Sequence, residues 1–535
     1  MKAKFAMFLV NPRLFVSAFF LCYLAIGLSV YKDYGISWDE PTHRQIAMVN
    51  AKHLAAIFLP GFHPPEFAAL PSWTDYSAKQ YGIVFDLPMY IAERLLGYNG
   101  HMPEAYYLRH LCAFLLFYVA VFFFYLIVRN RFDSRPLGIT GCLFLILTPR
   151  FFAESFYSKD LIFMSLFVIS IYFFLRYLNR KTLGSAFLFG LASALLVDQR
   201  ITGVFVPCLA AGMAGIETFK TEHPFQKLLN KLFPLLVYLL SFLSFTILFW
   251  PYLWDSPVQN FVSAFIKMNR FPISYDVLYL GKFIKSTAVP WHYVPLWIMI
   301  TTPLLYIFFF LLGFFLVIRG VIGSGLKLYS NDKEREDFLF LLNFLIPLVA
   351  VIFLNSALYD GWRHVYFIYA PFLLIAMTGL AKVLGGMEKG KASRPRRAAI
   401  GALAVVVLSI TMTAYQIIRA HPFQNVYFNL LAGNNAGENF ELDYWGLSFR
   451  RGLEYVVRND GRPVIKLAAN TIAPLINNAV FLEKKDAGRV YLADLKQADY
   501  FLTNYRWHPQ PYAYAHEVYS VTVDNIKILS VFKLR

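Results

Sequence analysis

The chain has 535 residues, 58% of them hydrophobic and only 16% charged, with a formal net charge of +17. Average soluble domains carry roughly 25% charged residues, so the composition excludes an ordinary soluble enzyme and points to an integral membrane protein. Cys22, Cys112, Cys142 and Cys208 all fall inside apolar runs, which argues against a disulfide framework or a cysteine metal site.

Runs of about 18 or more apolar residues are candidates for transmembrane helices. Eleven segments read as spans: 14–30, 106–128, 136–149, 160–177, 184–197, 201–216, 232–250, 295–318, 338–354, 366–383 and 398–418. Those at 136–149, 184–197 and 201–216 are short and sit among Gly and Pro, as tilted, broken or shifted helices do. The first has no small-residue cleavage site, so it reads as an uncleaved anchor.

Between the spans lie two long outer regions, 31–105 and 251–294. In the first, "HRQIAMVNAKHLAAIF" has helical spacing, and "YGIVFDLPMYIAERLLG" is apolar but broken by Asp86, Pro88 and Glu93, as a segment lying along the interface would be. In the second, "PVQNFVSAFIKMNRF" repeats apolar residues at the three- and four-residue steps of an amphipathic helix. Trp250, Tyr252, Trp254, Trp291 and Tyr293 frame it like an interfacial aromatic belt. Residues 1–418 therefore read as a membrane domain and 419–535 as a small α/β domain. In that tail "GLEYVVRND" and "TIAPLINNAVF" read as helices and "RPVIKLAA" and "ADYFLTN" as strands, before a hairpin turning at Asp524-Asn525.

The positive-inside rule sets the orientation. With a cytoplasmic N-terminus the inner segments hold Lys2, Lys4, Arg13, Arg129, Arg131, Arg135, Arg180, Lys181, Lys220, Arg319, Lys333, Arg335 and the basic run from Lys382 to Arg397. The short outer turns hold only Arg150, Lys159, Arg200 and Arg363. Much of the net positive charge is then a rim facing anionic headgroups and calls for no nucleic acid. Eleven spans place the C-terminal domain outside the cytoplasm.

Four outer segments gather charge: "WDEPTHR" with Asp39 and Glu40, "TPRFFAESFYSKDL" with Arg150, Glu154, Lys159 and Asp160, "LVDQRITG" with Asp198 and Arg200, and "YDGWRHVYFIYAP" with Asp360, Arg363 and His364. Charges near lipid are costly, so they pair or serve function. Each has a plainer reading: Asp39 before Glu40-Pro41 can cap a helix, Lys159 and Asp160 can be a local pair, and Arg363 and His364 can be snorkelling anchors. Four such groups on one face are harder to explain that way.

The Asp39-Glu40 pair after the first span, the "PRFFAESFYSKD" turn and the "GWRHVYFIYAP" turn resemble the membrane glycosyltransferases of the GT-C fold. Closest are the bacterial members related to protein O-mannosyltransferases and the lipid A aminoarabinose transferase (glycosyltransferase family 39-like). "HPFQNVYFN" and "ENFELDYWGLSFRRGLEYV" resemble the tails of bacterial proteins in that group. The resemblance implies a bacterial cytoplasmic-membrane protein that moves a sugar, with inversion, from a polyprenyl-phosphate donor. Its acceptor would be a hydroxyl or phosphate on a glycolipid, glycan or protein at the outer face. It makes Asp39 the catalytic carboxylate, with Glu40 beside it. Arg363 suits the lipid phosphate because its planar fork matches those oxygens; His364, Lys159 and Arg200 are further candidates for that task. Glu154 and Asp160 are candidates to orient acceptor or donor, or to hold a divalent metal. The rival readings are a transporter or flippase of envelope lipids, and a polysaccharide polymerase or ligase using a lipid-pyrophosphate donor. Transporters place their polar residues near mid-membrane on broken helices, often in repeats, whereas the charges here lie at span ends.

Overall fold

The computed structural model describes residues 12–219, 224–269, 274–384 and 396–535. Lys2, Lys4, Lys220 and most of the basic run after Lys382, used above for orientation, lie outside the described residues. Seven described helices are long and apolar enough to cross a membrane: Arg13–Val30, Pro103–Phe132, Lys159–Arg180, Leu304–Gly323, Asp332–Phe353, Arg363–Leu384 and Ile400–Ala420. Arg135–Ile146 and Pro149–Tyr157 make an eighth if the pair, bent by 72°, is counted as one broken span. This is a polytopic α-helical membrane protein with a C-terminal sheet.

The remaining expected spans correspond to the apolar helices Leu183–Gln199, Ile201–Glu217 and Pro224–Phe249. A straight helix needs about 20 residues to cross the hydrocarbon core; the first two fall short of that, whereas Pro224–Phe249 has 26 residues. The expected span 295–318 is divided at Thr302-Pro303 into Tyr293–Thr301 and Leu304–Gly323. Proline lacks the N–H that would continue the first helix and is well suited to starting the second.

Helix ends follow local chemistry. Ser134 accepts from the Leu137 amide before Arg135–Ile146, Thr182 and Ser185 form a reciprocal capping box, and Asn331 accepts from the Glu334 amide. Glycine permits one of the close helix contacts. A Cβ on Gly313 would lie 1.9 Å from the Ile375 carbonyl oxygen, and one on Gly379 2.2 Å from that of Phe309. The helices Leu304–Gly323 and Tyr369–Leu384 therefore meet backbone to backbone, as small residues allow in membranes.

The segment "TPRFFAESFYSKDL", read above as a turn, instead forms the helix Pro149–Tyr157, whose nine residues are all buried. The amphipathic helix of the second outer region is present as Pro257–Asn269. It is followed by an antiparallel hairpin of β1 (Asp276–Tyr279) and β2 (Lys282–Lys285). Its turn residues, Leu280 and Gly281, both have positive φ, as tight hairpins of this hand require.

The tail holds β3 (Ile465–Ala469), β4 (Val490–Leu492), β5 (Tyr500–Thr503), β6 (Glu517–Val523) and β7 (Ile526–Lys533) in the order β4-β3-β5-β7-β6. The β3 pairings are parallel and the β5–β7 and β6–β7 pairings antiparallel. Helix Phe449–Asn459 buries Phe449, Leu453 and Val456 against Leu467, Leu502, Leu529 and Val531. The hairpin turn at Asp524-Asn525 has φ of 45° and 67°, which explains why those two residue types stand there.

The tail is fastened to the segment after the first span. Asn478 accepts from the Ile36 amide at 2.9 Å and donates to the Ile36 carbonyl at 3.1 Å. Arg450 donates to the Lys32 and Tyr34 carbonyls, and the Trp38 amide to Trp445.

Candidate active site

The segments read as outer meet at one end of the bundle. Asp39 stands at the residue before helix Glu40–Phe58, the position of a helix cap, yet its side chain makes no capping hydrogen bond. Its carboxylate instead accepts from Arg363 Nη1 at 3.1 Å. The same nitrogen lies 3.2 Å from Asp160, and Arg363 Nη2 lies 3.2 Å from Asp360. Arg363 also rests over the rings of Trp445 and Tyr359, at 4.7 and 5.1 Å. Its Nε is buried and has no partner among the described residues.

Asp160 lies in the first turn of Lys159–Arg180, where the helix dipole favours a carboxylate. It also receives Arg200 Nη2, while Arg200 Nη1 donates to the His364 carbonyl at 3.2 Å. Asp360 in turn binds Arg506 Nη2 at 2.7 Å. Three carboxylates are thus interleaved with three guanidiniums, and they are not equally open. The Asp39 side chain is 33% exposed, against 1% for Asp160 and 7% for Asp360.

Of the residues singled out in the sequence, the structure therefore brings Asp39, Asp160, Arg200 and Arg363 into one network. Glu40 is turned elsewhere: the Ser37 amide donates to it at 2.6 Å, and His110 Nε2 lies 2.9 Å from its other oxygen. Glu154 accepts from the hydroxyls of Tyr366 and Tyr444, at 3.1 and 2.9 Å. His364 joins the network through its backbone, while its ring packs edge-on against Tyr359. Lys159 sits over the Tyr81 ring at 4.6 Å, with its ammonium 3.4 Å from His43 Nδ1. It lines a small neighbouring cavity with Glu40, His43, Asp86 and Arg109. Burial, then the positive charges of Lys159 and Arg109, hold the His43 imidazole well below its usual pKa, so it is neutral at pH 7. In the same cavity burial raises the Asp86 carboxyl above its usual range against the opposing pull of Arg109.

Two participants, Asp360 and Arg506, have no role in the expectation drawn from the sequence. Asp360 stands three residues before Arg363, so the turn motif itself carried that signal. Arg506, between Tyr505 and Trp507, carries none, because its partner lies 146 residues away in the chain. Glu441 sits alongside, accepting from the Gly361 amide at 3.2 Å, and burial followed by the Asp360 charge pushes its pKa up to about 8. Among the described residues no group of three or more His, Cys, Asp or Glu is placed to hold a metal ion. Glu154 and Asp160, the pair considered for that role, are engaged by tyrosines and by arginines respectively.

No family model matches the chain, and no curated protein matches it. Solved structures of similar shape include ArnT from Cupriavidus metallidurans in the apo state, with a TM-score of 0.49 and 12% identity over 96% of this chain and 98% of that one. The same protein bound to undecaprenyl phosphate gives 0.46 and 11%, over 96% and 97%. The apo oligosaccharyltransferase of Archaeoglobus fulgidus gives 0.48 and 12% over 90% of this chain, which spans 65% of that longer protein.

Proposed function

We propose that the protein is an inverting glycosyltransferase that moves a sugar from a polyprenyl-phosphate donor to an acceptor hydroxyl or phosphate. The reaction takes place at the outer face of the bacterial cytoplasmic membrane, with the N-terminus cytoplasmic and residues 419–535 outside. The observation that carries this reading is the uneven sharing of Arg363. Two of its carboxylate partners are buried, and the third, Asp39, a short loop beyond the first span, is about one-third exposed.

Asp39 takes the proton of the acceptor O–H as that oxygen forms its bond to the anomeric carbon. The bond from that carbon to the phosphate oxygen breaks, and the electron pair leaves with the polyprenyl phosphate. One displacement inverts the carbon and needs no enzyme nucleophile. The departing phosphate meets Arg363, whose unpartnered Nε and planar fork suit its oxygens. Arg200 and Lys159 supply further positive charge beside it. As phosphate draws on Arg363, the guanidinium's hold on Asp39 weakens and frees that carboxylate for the acceptor. The resemblance of the outer turns to GT-C enzymes supports the same assignment of Asp39.

The test uses purified protein in lipid, given polyprenyl-phosphate sugars labelled in the sugar. Label should pass to envelope glycolipid, glycan or protein, with release of one polyprenyl phosphate per sugar moved. Lipid that crosses the bilayer with its sugar still attached would instead make the protein a flippase. Label released only from pyrophosphate-linked donors would make it a polymerase or ligase.

A further inference from the structure

We propose that Arg506, carried by the C-terminal sheet unit, is a positioning residue of the Asp39 site: by holding Asp360 it fixes the Arg363 guanidinium against Asp39. The inference rests on the functional reading above and adds the tail to the site.

The geometry is a relay of alternating charges. Arg506 Nη2 lies 2.7 Å from Asp360 Oδ1, and Asp360 Oδ2 lies 3.2 Å from Arg363 Nη2. Asp360 therefore spends one oxygen on each guanidinium, and Arg363 reaches Asp39 from the other side. Arg506 is itself clamped. Its Nη1 donates to the Tyr444 carbonyl at 2.5 Å, and its guanidinium lies over the rings of Trp38 and Trp507, at 5.0 and 4.8 Å. Trp38 immediately precedes Asp39, so one side chain of the tail touches both the approach to Asp39 and the carboxylate behind Arg363.

The backbone is strained on either side of Arg506. Tyr505 and Trp507 each have a φ of 61°, and Asp360 has 57°. Bulky L residues rarely adopt that region, and they persist there only where their surroundings over-determine it. Here the Tyr505 amide donates to Thr503 Oγ1 at 3.0 Å, the Tyr505 hydroxyl lies 2.6 Å from Ser530 Oγ, and Trp507 Nε1 donates to the Asp276 carbonyl. An anchor for the tail needs none of this, because the Asn478 and Arg450 contacts already fasten it away from the charge network. The strained loop presents Arg506 to one carboxylate of the site.

Arg506→Met keeps the length of the stem and its packing between the indoles while removing the charge. It should lower kcat for sugar transfer about 10- to 100-fold, as small misplacements of a reacting group do, with donor KM little changed. Arg506→Lys should recover only part, since a point charge cannot make both directed bonds. The double variant Arg506→Met/Asp360→Asn should lose no more kcat than Asp360→Asn alone, because both changes cut the same relay. Wild-type kcat in Arg506→Met, or losses that multiply in the double variant, would overturn the proposal; so would a lowered melting temperature accompanied by full turnover of the folded protein. If the wild-type protein moves no sugar from any polyprenyl-phosphate donor, the functional reading fails separately. A melting cycle on Arg506→Met and Asp39→Asn, which the relay connects through Asp360 and Arg363, then decides the relay: coupled shifts support it and additive shifts refute it.

Discussion

The two ends of the helix bundle hold charge in different ways. At the end carrying the segments read as inner, Arg131 and Asp337 face each other fork to fork, with Nε–Oδ1 of 2.8 Å and Nη2–Oδ2 of 2.5 Å. Nearby, Glu217 joins Lys181 and Arg335 at 2.9 and 3.1 Å. At the other end Arg363 is shared among three carboxylates, and its Nε has no partner among the described residues. A bidentate pair satisfies both partners and ties helices together. A guanidinium divided among three carboxylates is held in place, yet it can yield one of them to a ligand. The first arrangement fits a strut and the second a site.

That contrast can be broken most forcefully at Arg363. Arg363→Met leaves Asp160 with Arg200 alone and Asp360 with Arg506 alone, both carboxylates remaining buried. Stripping a cation from buried partners costs about 3–5 kcal/mol, so unfolding should shift by that amount and transfer should vanish. Adding Asp160→Asn should restore part of the stability and none of the transfer. A loss of stability under about 1 kcal/mol, the range of an exposed pair, would show that the network is no more than surface charge.

The strut end should behave in the opposite way. Asp337→Asn should cost about 1.5–3 kcal/mol, the scale of hydrogen bonds to charged groups. Turnover per folded molecule should stay at the wild-type level. Slower transfer by the folded variant would mean that the two ends are coupled and that the division drawn here is wrong.

How far the site could be read from the sequence depended on distance along the chain and on burial. Asp39, Asp160, Arg200 and Arg363 were legible because charge at the end of an apolar run is expensive and stands out. Their convergence also follows from threading alternate spans through one face. The fate of Glu40 was not legible: its partner His110 lies inside the long helix Pro103–Phe132, where nothing in the local pattern marks it. Arg506 was hidden for the same reason, being one arginine among several in a polar tail. The β1–β2 hairpin did have a signal, since "DVLYLGKFIK" brackets a Leu-Gly turn with strand-forming residues. The shortness of 136–149, 184–197 and 201–216 was legible from the Gly and Pro around them, whereas the 72° bend after Ile146 was not, because hydropathy reports apolar length and says little about where tertiary packing breaks a helix.

A smaller effect concerns pH at the edge of the site. His43 has its folded-state pKa depressed, first by burial and then by Lys159. The unfolded chain therefore binds a proton that the folded protein refuses, and stability should fall as pH drops below about 6.5. This one group contributes a slope of at most about 1.4 kcal/mol per pH unit. His43→Gln should flatten the stability curve between about pH 5 and 6.5 while leaving its value at pH 8 nearly unchanged. An unaltered slope would place the acid sensitivity in other groups whose protonation the folded state resists, His53 among them, since burial also lowers its pKa.

The most direct test is turnover of purified Asp39→Asn protein. The structure shows no capping bond from Asp39, and Asn is in any case as good a cap as Asp, so the variant should insert, melt close to wild type and still bind donor lipid. It has lost the negative charge and the capacity to accept a proton, a change worth about 100- to 10,000-fold in rate for a general base. Transfer should be at least about a hundred times slower, without loss of donor binding. Wild-type turnover in a protein with wild-type melting would contradict that expectation and remove Asp39 as the base.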